Sequence, residues 1–347
     1  MNLTISFHSG MNLVATHDRC DIPYTYSWNI NGLKINIPII QGGMAIRCSM
    51  AKLAAAVANE GGIGVIAGTA LPVEELRAEI RKARTLITNK GGALGVNIMF
   101  AATDFINLVN VCIEETVDVI ICGAGFSRDI FSMVKNTGVK LFPIVSSLKL
   151  AKISEKMGAD AIIVEGGNAG GHLGTELDSW DIMEEITKGV KIPVFGAGGV
   201  ITPEDAEKML SLGTVGVQMG SRFVATHECD VSDTFKNMYV NSKKGDIVKI
   251  MSSVGLPANA IISPYVERLL AEENLTPKSC TGCLKHCSRN FCVSKRLIDG
   301  HNGDYENGIF FAGRDAWKIN DIISVHEVFE RFALVFKKAD IKLKEIA

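Results

Sequence analysis

The sequence has no apolar run near the roughly 18 residues that a membrane-spanning helix needs, and its first residues show no secretory-signal pattern. It also lacks an excess of charge of one sign. Lys and Arg total 36 against 38 Asp and Glu, a net charge of −2, which gives no electrostatic basis for binding nucleic acid or a membrane surface. No G-x-G-x-x-G follows the first apolar run with an acid about twenty residues further on, so a dinucleotide-binding Rossmann domain is not expected. Nine cysteines without a secretory signal argue for a reducing compartment, with thiols free or bound to metal; the expected location is the cytoplasm.

What is present is a large apolar fraction, 47% against 21% charged, in 347 residues. That length suits two ordinary domains or one α/β barrel, which commonly needs about 250 residues. Short β-branched runs recur at residues 37–41, 63–67, 94–98, 117–122, 141–145, 161–165, 192–196 and 215–219. They are apolar on both faces, as parallel strands covered by helices must be. Helical spacing fills intervening stretches such as 50–59, 73–86, 105–115, 130–137, 148–157 and 203–212. Thr202-Pro203-Glu204-Asp205 supplies a cap, a first-turn proline and acids where a helix starts. Eight alternating units predict an α/β fold, a closed (β/α)8 barrel, over residues 33–240. Residues 1–32, with Tyr24, Tyr26 and Trp28, read as an arm on that body, and residues 241–347 as a C-terminal extension.

In such barrels chemistry sits where strands end. Here those ends read Gln41-Gly42-Gly43-Met44, Asn97-Ile98-Met99, Cys122-Gly123-Ala124-Gly125, Gly196-Ala197-Gly198-Gly199 and Gln218-Met219-Gly220-Ser221. The sixth run goes straight into Glu165-Gly166-Gly167-Asn168-Ala169-Gly170-Gly171-His172. Turn-making needs one residue at positive φ; a whole rim cleared of side chains points to a flat ligand lying close to backbone. Glycines after the seventh and eighth runs form the usual phosphate cradle, with Ser221 as an added hydroxyl. FMN, a planar ring with one phosphate, fits these ends, and Asn97 can donate to it and accept from it. His172 stands at the mouth of the sixth strand, where a group titrating near neutrality is useful. His227, just past the eighth run, reads either as lining the same mouth or as a surface residue.

The ordered set Ile39-Ile40-Gln41-Gly42-Gly43-Met44, Gly95-Val96-Asn97, Glu165 through Gly174, Gly196-Ala197-Gly198-Gly199 and Gly216-Val217-Gln218-Met219-Gly220-Ser221 resembles the nitronate monooxygenase family, formerly 2-nitropropane dioxygenase. That family is related to FMN-dependent enoyl-acyl-carrier-protein reductases. The resemblance implies a TIM barrel holding FMN non-covalently, with contacts from Asn97, Glu165, Gly170, Gly199 and the run Gln218, Met219, Gly220 and Ser221. Gly42, Gly43, Met44, Gly171 and Gly198 complete the expected cofactor rim. Family members often carry glutamine where this chain has Glu165 and threonine where it has Ser221. It further implies that His172 is the active-site histidine, bonding an anionic substrate or acting as base toward a neutral nitroalkane.

Two activities share that scaffold. The expected one is nitronate oxidation, with alkyl nitronate and oxygen giving a carbonyl compound and nitrite; the alternative is NAD(P)H-dependent reduction of an enoyl thioester, or another flavin and iron–sulfur reduction. A flavin-binding redox sensor without turnover is the alternative from another class. The tail adds Cys280-Thr281-Gly282-Cys283-Leu284-Lys285-His286-Cys287 and then Cys292, a C-x2-C-x3-C-x4-C spacing. That density suits a [4Fe–4S] cluster or a structural zinc held by Cys280, Cys283, Cys287 and Cys292, with His286 as a further ligand. Phe311-Ala312-Gly313-Arg314-Asp315-Ala316 resembles a stretch that follows such segments in barrel proteins of this family. The expected partners are a small-molecule substrate, NAD(P)H or an electron-transfer protein, and a second copy of the chain as a homodimer.

Overall fold

The computed structural model describes residues 4–6, 12–14 and 28–346, with side chains over residues 28–338; Tyr24, Tyr26 and Cys20 lie outside the described residues. Eight parallel strands close a barrel in sequence order: β1 (Ile39–Gln41), β2 (Ile63–Ala67), β3 (Ala93–Met99), β4 (Val119–Gly123), β5 (Lys140–Val145), β6 (Ile162–Glu165), β7 (Val194–Ala197) and β8 (Gly216–Met219). The ring is completed where Val217 of β8 registers with Ile39 of β1. Each expected apolar run contributes one of these strands, with ends shifted by only a residue or two.

The strands are buried on both faces. Ile40, Ile63, Val65, Phe142 and Phe195 fill the barrel interior, with the last two rings stacked at 5.8 Å between centroids. A hairpin, Trp28–Ile30 against Leu33–Ile35, plugs the end where the strands begin and adds Ile30 and Ile35 to that core. Asn36 N donates to the carbonyls of Gly61 and Gly91, just ahead of β2 and β3, which fixes the plug in place. The opposite end is left free for a site.

Helices α1 (Ala51–Asn59), α2 (Val73–Leu86), α3 (Phe105–Glu114), α4 (Asp129–Val134), α5 (Leu148–Met157), α6 (Ser179–Gly189) and α7 (Pro203–Ser211) cover the outside. The capping box read at Thr202 forms: its hydroxyl accepts from Asp205 N, and the Asp205 carboxylate accepts from Thr202 N. After β8 the helix α8 (Ser221–Val224) is only four residues long. Its place in the ring is taken by the chain's last helix, Val325–Ile346. Val328, Phe329 and Phe332 of that helix share one core with Leu53 of α1 and Met209 of α7.

Between α8 and this last helix the chain builds a roof over the strand ends. The strand Gly171–His172, in the loop after β6, pairs with Pro257–Ile261, which also pairs with Ile247–Met251 and with Phe310–Phe311. The extension is thus sewn to the barrel through the glycine loop itself. Among the described residues no helix is long and apolar enough to cross a membrane.

Candidate active site

The loop after β6 is glycine-rich because it is pressed between neighbours. Asn259 of the roof donates to the carbonyls of Gly167 and Ala169 at 2.9 and 2.8 Å. Asn168 is fully buried, and its Oδ1 accepts from Ser179 N at the start of α6. At Gly170 a Cβ would lie 2.8 Å from Gly313 N and 2.9 Å from Ala312 C, so the tail backbone needs a glycine there.

That packing presents His172 to a cavity of about 250 Å3 at the strand ends. His172 Nε2 lies 2.8 Å from Ser252 Oγ, and its ring meets Phe311 edge-on at 5.3 Å between centroids. Burial pushes its pKa down to about 4, so the imidazole is neutral at pH 7. At the end of β6 the Glu165 carboxyl borders the same cavity, and burial pushes it up to about 8. It therefore carries its proton near neutrality, which removes the charge difference from the glutamine common at this position in the family.

Every expected cofactor residue lines this one cavity: Gly42, Gly43, Met44, Asn97, Glu165, Gly170, Gly171, Gly198, Gly199, Gln218, Met219, Gly220 and Ser221, together with His172. Three observations fit FMN there. The Asn97 side chain lines the cavity beside Gly43, where a Cβ would fall 2.3 Å from Asn97 Cβ, so a glycine there lets the amide reach the rim. Gln218 is a buried lining residue whose Oε1 has no hydrogen-bond partner within the protein, an acceptor free for a bound group. No lysine or arginine lines the cavity among the described residues, which leaves phosphate binding to backbone N–H groups and the Ser221 hydroxyl.

Several residues at the site were not read from the sequence. Ser221 Oγ accepts from Gly313 N at 2.9 Å, and Phe311, Gly313 and Asp315 all border the cavity. Tyr239 does too, its hydroxyl donating to the Phe311 carbonyl. The tail stretch was visible as a resemblance, but nothing in its pattern showed that it borders this cavity. His227 is exposed and outside the cavity lining.

The metal expectation finds no support. Among the described residues no group of three or more His, Cys, Asp or Glu side chains, Cys280, Cys283, Cys287 and Cys292 included, is arranged to hold a metal ion. The reason lies in the backbone. Leu284 bridges to Ala102 like a strand, while Lys285 N bonds the Ala101 carbonyl and Thr103 N the Cys283 carbonyl. Held extended, the segment turns Cys283 into the main cavity, with Sγ 3.1 Å from Ser294 Oγ, while Cys280 and Cys287 border a separate outer trough. Cys292 sits at the start of the helix Val293–His301. A [4Fe–4S] cluster or zinc at these four thiols is not supported.

Comparison with known proteins follows the same lines. The family model described as nitronate monooxygenase matches residues 27–107 and 89–334. A Rhodococcus jostii protein named (3aS,4S,5R,7aS)-5-hydroxy-7a-methyl-1-oxo-octahydro-1H-indene-4-carboxyl-CoA dehydrogenase is 32% identical over 238 residues, 69% of this chain and 66% of that one. The match therefore spans just under two thirds of that relative's length. A probable nitronate monooxygenase of Staphylococcus aureus is 28% identical over 299 residues, covering 72% of this chain and 83% of that one. Among solved structures, FabK from Thermotoga maritima superposes with a TM-score of 0.80 at 33% identity, over 90% of this chain and 96% of that one. A nitroalkane oxidase from Streptomyces ansochromogenes, at 21% identity and a TM-score of 0.75 over 89% and 98% of the two chains, shares the fold. With barrel, glycine rim and family model in agreement over nearly the whole described chain, this protein belongs to the nitronate monooxygenase family, a family of oxidoreductase enzymes.

Proposed function

We propose that the protein is an FMN-dependent oxidoreductase acting at a carbon conjugated to a planar oxygen-bearing group, with His172 donating a hydrogen bond to that oxygen. The observation that carries the reading is the single cavity shared by the strand-end glycines, the unpartnered Gln218 Oε1 and a neutral His172. Bound there, FMN would supply one- or two-electron transfer at its ring. Gly42, Gly43, Asn97 and Gln218 would face the ring and its polar edge; Gly198, Gly199, Gly220 and Ser221 would take the phosphate end.

The chain's own contribution is positioning. When His172 Nε2 accepts from Ser252, the ring proton sits on Nδ1; when Nε2 donates, the Ser252 hydroxyl proton is free for another acceptor. The His172 donor role uses the Nδ1–H tautomer, with the Ser252 hydroxyl as the donor in the other, and in a low-dielectric site such a bond to an oxygen that gains negative charge is strong. A pKa held to about 4 makes His172 a poor base for stripping a proton from a neutral nitroalkane, so the donor role is preferred.

A nitronate and the enolate of a thioester both place charge on an oxygen coplanar with the reacting carbon. The thioester reading, reduction of an enoyl thioester with NAD(P)H as donor, comes first. It is supported by the 33% identity to FabK, an enoyl-acyl-carrier-protein reductase, and by the CoA thioester in the name of the Rhodococcus relative. The nitronate reading comes second, supported by the family model and the Staphylococcus relatives. FMN-loaded protein given enoyl thioester and NAD(P)H without oxygen, and separately alkyl nitronate in air without nicotinamide, tests both. Thioester-dependent NAD(P)H consumption establishes the first and nitrite release the second; the absence of both signals sinks the proposal.

A further inference from the structure

His172 and Phe311 come from distant parts of the chain and meet on one strand of the roof. The strand Pro257–Ile261 gives one whole edge to Ile247–Met251, so its other edge carries both Gly171–His172 and Phe310–Phe311. On that edge His172 stands opposite Ala258 and Phe311 opposite Ala260. Positions two apart on a strand face the same way, and residues directly opposite share a face. The register thus aims the imidazole and the phenyl ring to one side of the sheet, where Ala258 and Ala260 add only methyl groups. That side is the cavity, which both His172 and Phe311 line.

A single hydrogen bond does not fix an imidazole. With Nε2 at 2.8 Å from Ser252 Oγ the ring can still turn about that bond, because the terminal torsion of histidine is broad. Phe311 supplies a second constraint, meeting the imidazole edge-on at 5.3 Å with 72° between the planes. The phenyl ring is itself anchored from the barrel side, in a closed circuit. Phe310 meets Phe235 edge-on at 5.0 Å, Phe235 stacks on Tyr239 at 5.8 Å, and the Tyr239 hydroxyl donates to the Phe311 carbonyl. Phe235, Tyr239 and Phe310 are all buried, so the circuit has little room to relax. No neighbouring charge holds the imidazole. The titratable side chains lining the cavity with it are Cys48, Glu165, Tyr239, Cys283 and Asp315. The strand opposite His172 carries none, and Lys249 of the next strand is paired with Glu176. Burial, not any of these groups, is what lowers the His172 pKa to about 4.

We propose that Phe311 is a positioning residue for His172: its ring fixes the tilt of the imidazole about the bond to Ser252 and closes that side of it to water. Phe311 acts through His172 and so rests on the donor role given to His172 above. The contact itself depends on neither cofactor nor substrate, which allows it to be tested apart from the reaction.

The test follows the His172 imidazole by NMR in the full chain without cofactor, its signals identified by their loss in His172→Gln. The variants are Phe311→Ala, which opens one side of the imidazole, and Phe311→Leu, which keeps an apolar side chain there should the alanine loosen the roof. In the parent the imidazole should titrate near pH 4, and in Phe311→Ala the midpoint should rise by about one pH unit or more toward 6.5, with a smaller rise in Phe311→Leu. Midpoints left at the parent's value in both variants overturn the proposal. So does a parent imidazole that titrates near 6.5, since the phenyl ring would then keep no water out. In FMN-loaded protein, with whichever of the two substrates above turns over, Phe311→Leu should lower kcat about fivefold, the loss of one aromatic contact. An unchanged kcat overturns the positioning role even if the midpoint moves. A parent without turnover sinks the proposed function instead, and the titration then decides for or against the contact on its own.

Discussion

His172 Nε2 and Ser252 Oγ, 80 residues apart in the chain, lie 2.8 Å from one another, so the candidate catalytic group is set by both the barrel and its roof. Removing the imidazole should therefore cost more than removing its support. His172→Ala should lower kcat by about 10²–10³-fold, as the loss of a preorganised donor does. Ser252→Ala should lower it by about tenfold, and Ser252→Thr should restore most of that. Steady-state kinetics beside a flavin-binding titration checks both. A Ser252→Ala protein with unchanged kcat, or one that recovers nothing as threonine, would remove Ser252 from the positioning role.

At Gly170 the added methyl of Gly170→Ala would strike Gly313 N and Ala312 C, which are backbone atoms and cannot turn aside. The tail must then retreat from the rim, taking with it the bond from Gly313 N to Ser221 Oγ. The variant should lose about 1–3 kcal/mol of stability and bind FMN more weakly. Thermal melts and the flavin-to-protein absorbance ratio after gel filtration read the two effects. Full flavin content would show that the tail does not complete the site.

The last helix offers a test of the ring. Phe329 is fully buried, and its ring comes so close to Gly62 that a Cβ there would lie 2.7 Å from Phe329 Cζ. Phe329→Ala should cost about 3–5 kcal/mol in denaturant unfolding, the penalty of a core barrel residue. A cost below about 1 kcal/mol would fit a peripheral helix with room to relax.

These sites also show what the sequence could reveal. The eight strands were legible because a parallel strand covered on both faces is a continuous apolar run, and the rim was legible because glycines stand where those runs stop. Ser252 and Gly313 were not legible: each acts through one bond to a residue 80 or 92 positions away, and a single polar residue has no period. The closing role of the last helix was hidden for a related reason. The gap that its apolar face fills exists only because α8 is four residues long, which no local pattern in the last helix announces. The cysteine spacing finds no matching cluster of thiols, since nearness in sequence does not make side chains converge. Once Leu284 pairs with Ala102 as an extended segment, Cys283 faces the cavity while Cys280 and Cys287 face the trough.

Glu165 makes the sharpest prediction about pH. Burial holds its carboxyl at about 8 against an ordinary value of 4.5, so between those limits the folded protein keeps a proton that the unfolded chain gives up. Its contribution to stability is fully present below pH 4.5 and is lost as pH rises toward 8. His172 works from the other side. Held to about 4 against an ordinary 6.5, its contribution is present above 6.5 and is lost as pH falls toward 4. Glu165→Gln removes only the first of these slopes and keeps the side chain's size. In cofactor-free protein the variant should melt a few degrees above the parent at pH 8, with the gap closing toward pH 5, because below pH 6.5 the parent's gain at Glu165 offsets its loss at His172 while the variant shows the loss alone. A gap of equal size at pH 5 and pH 8 would mean that the introduced amide gains a contact instead of escaping an ionisation, and Glu165 would then not be the buried acid that the cavity geometry makes it.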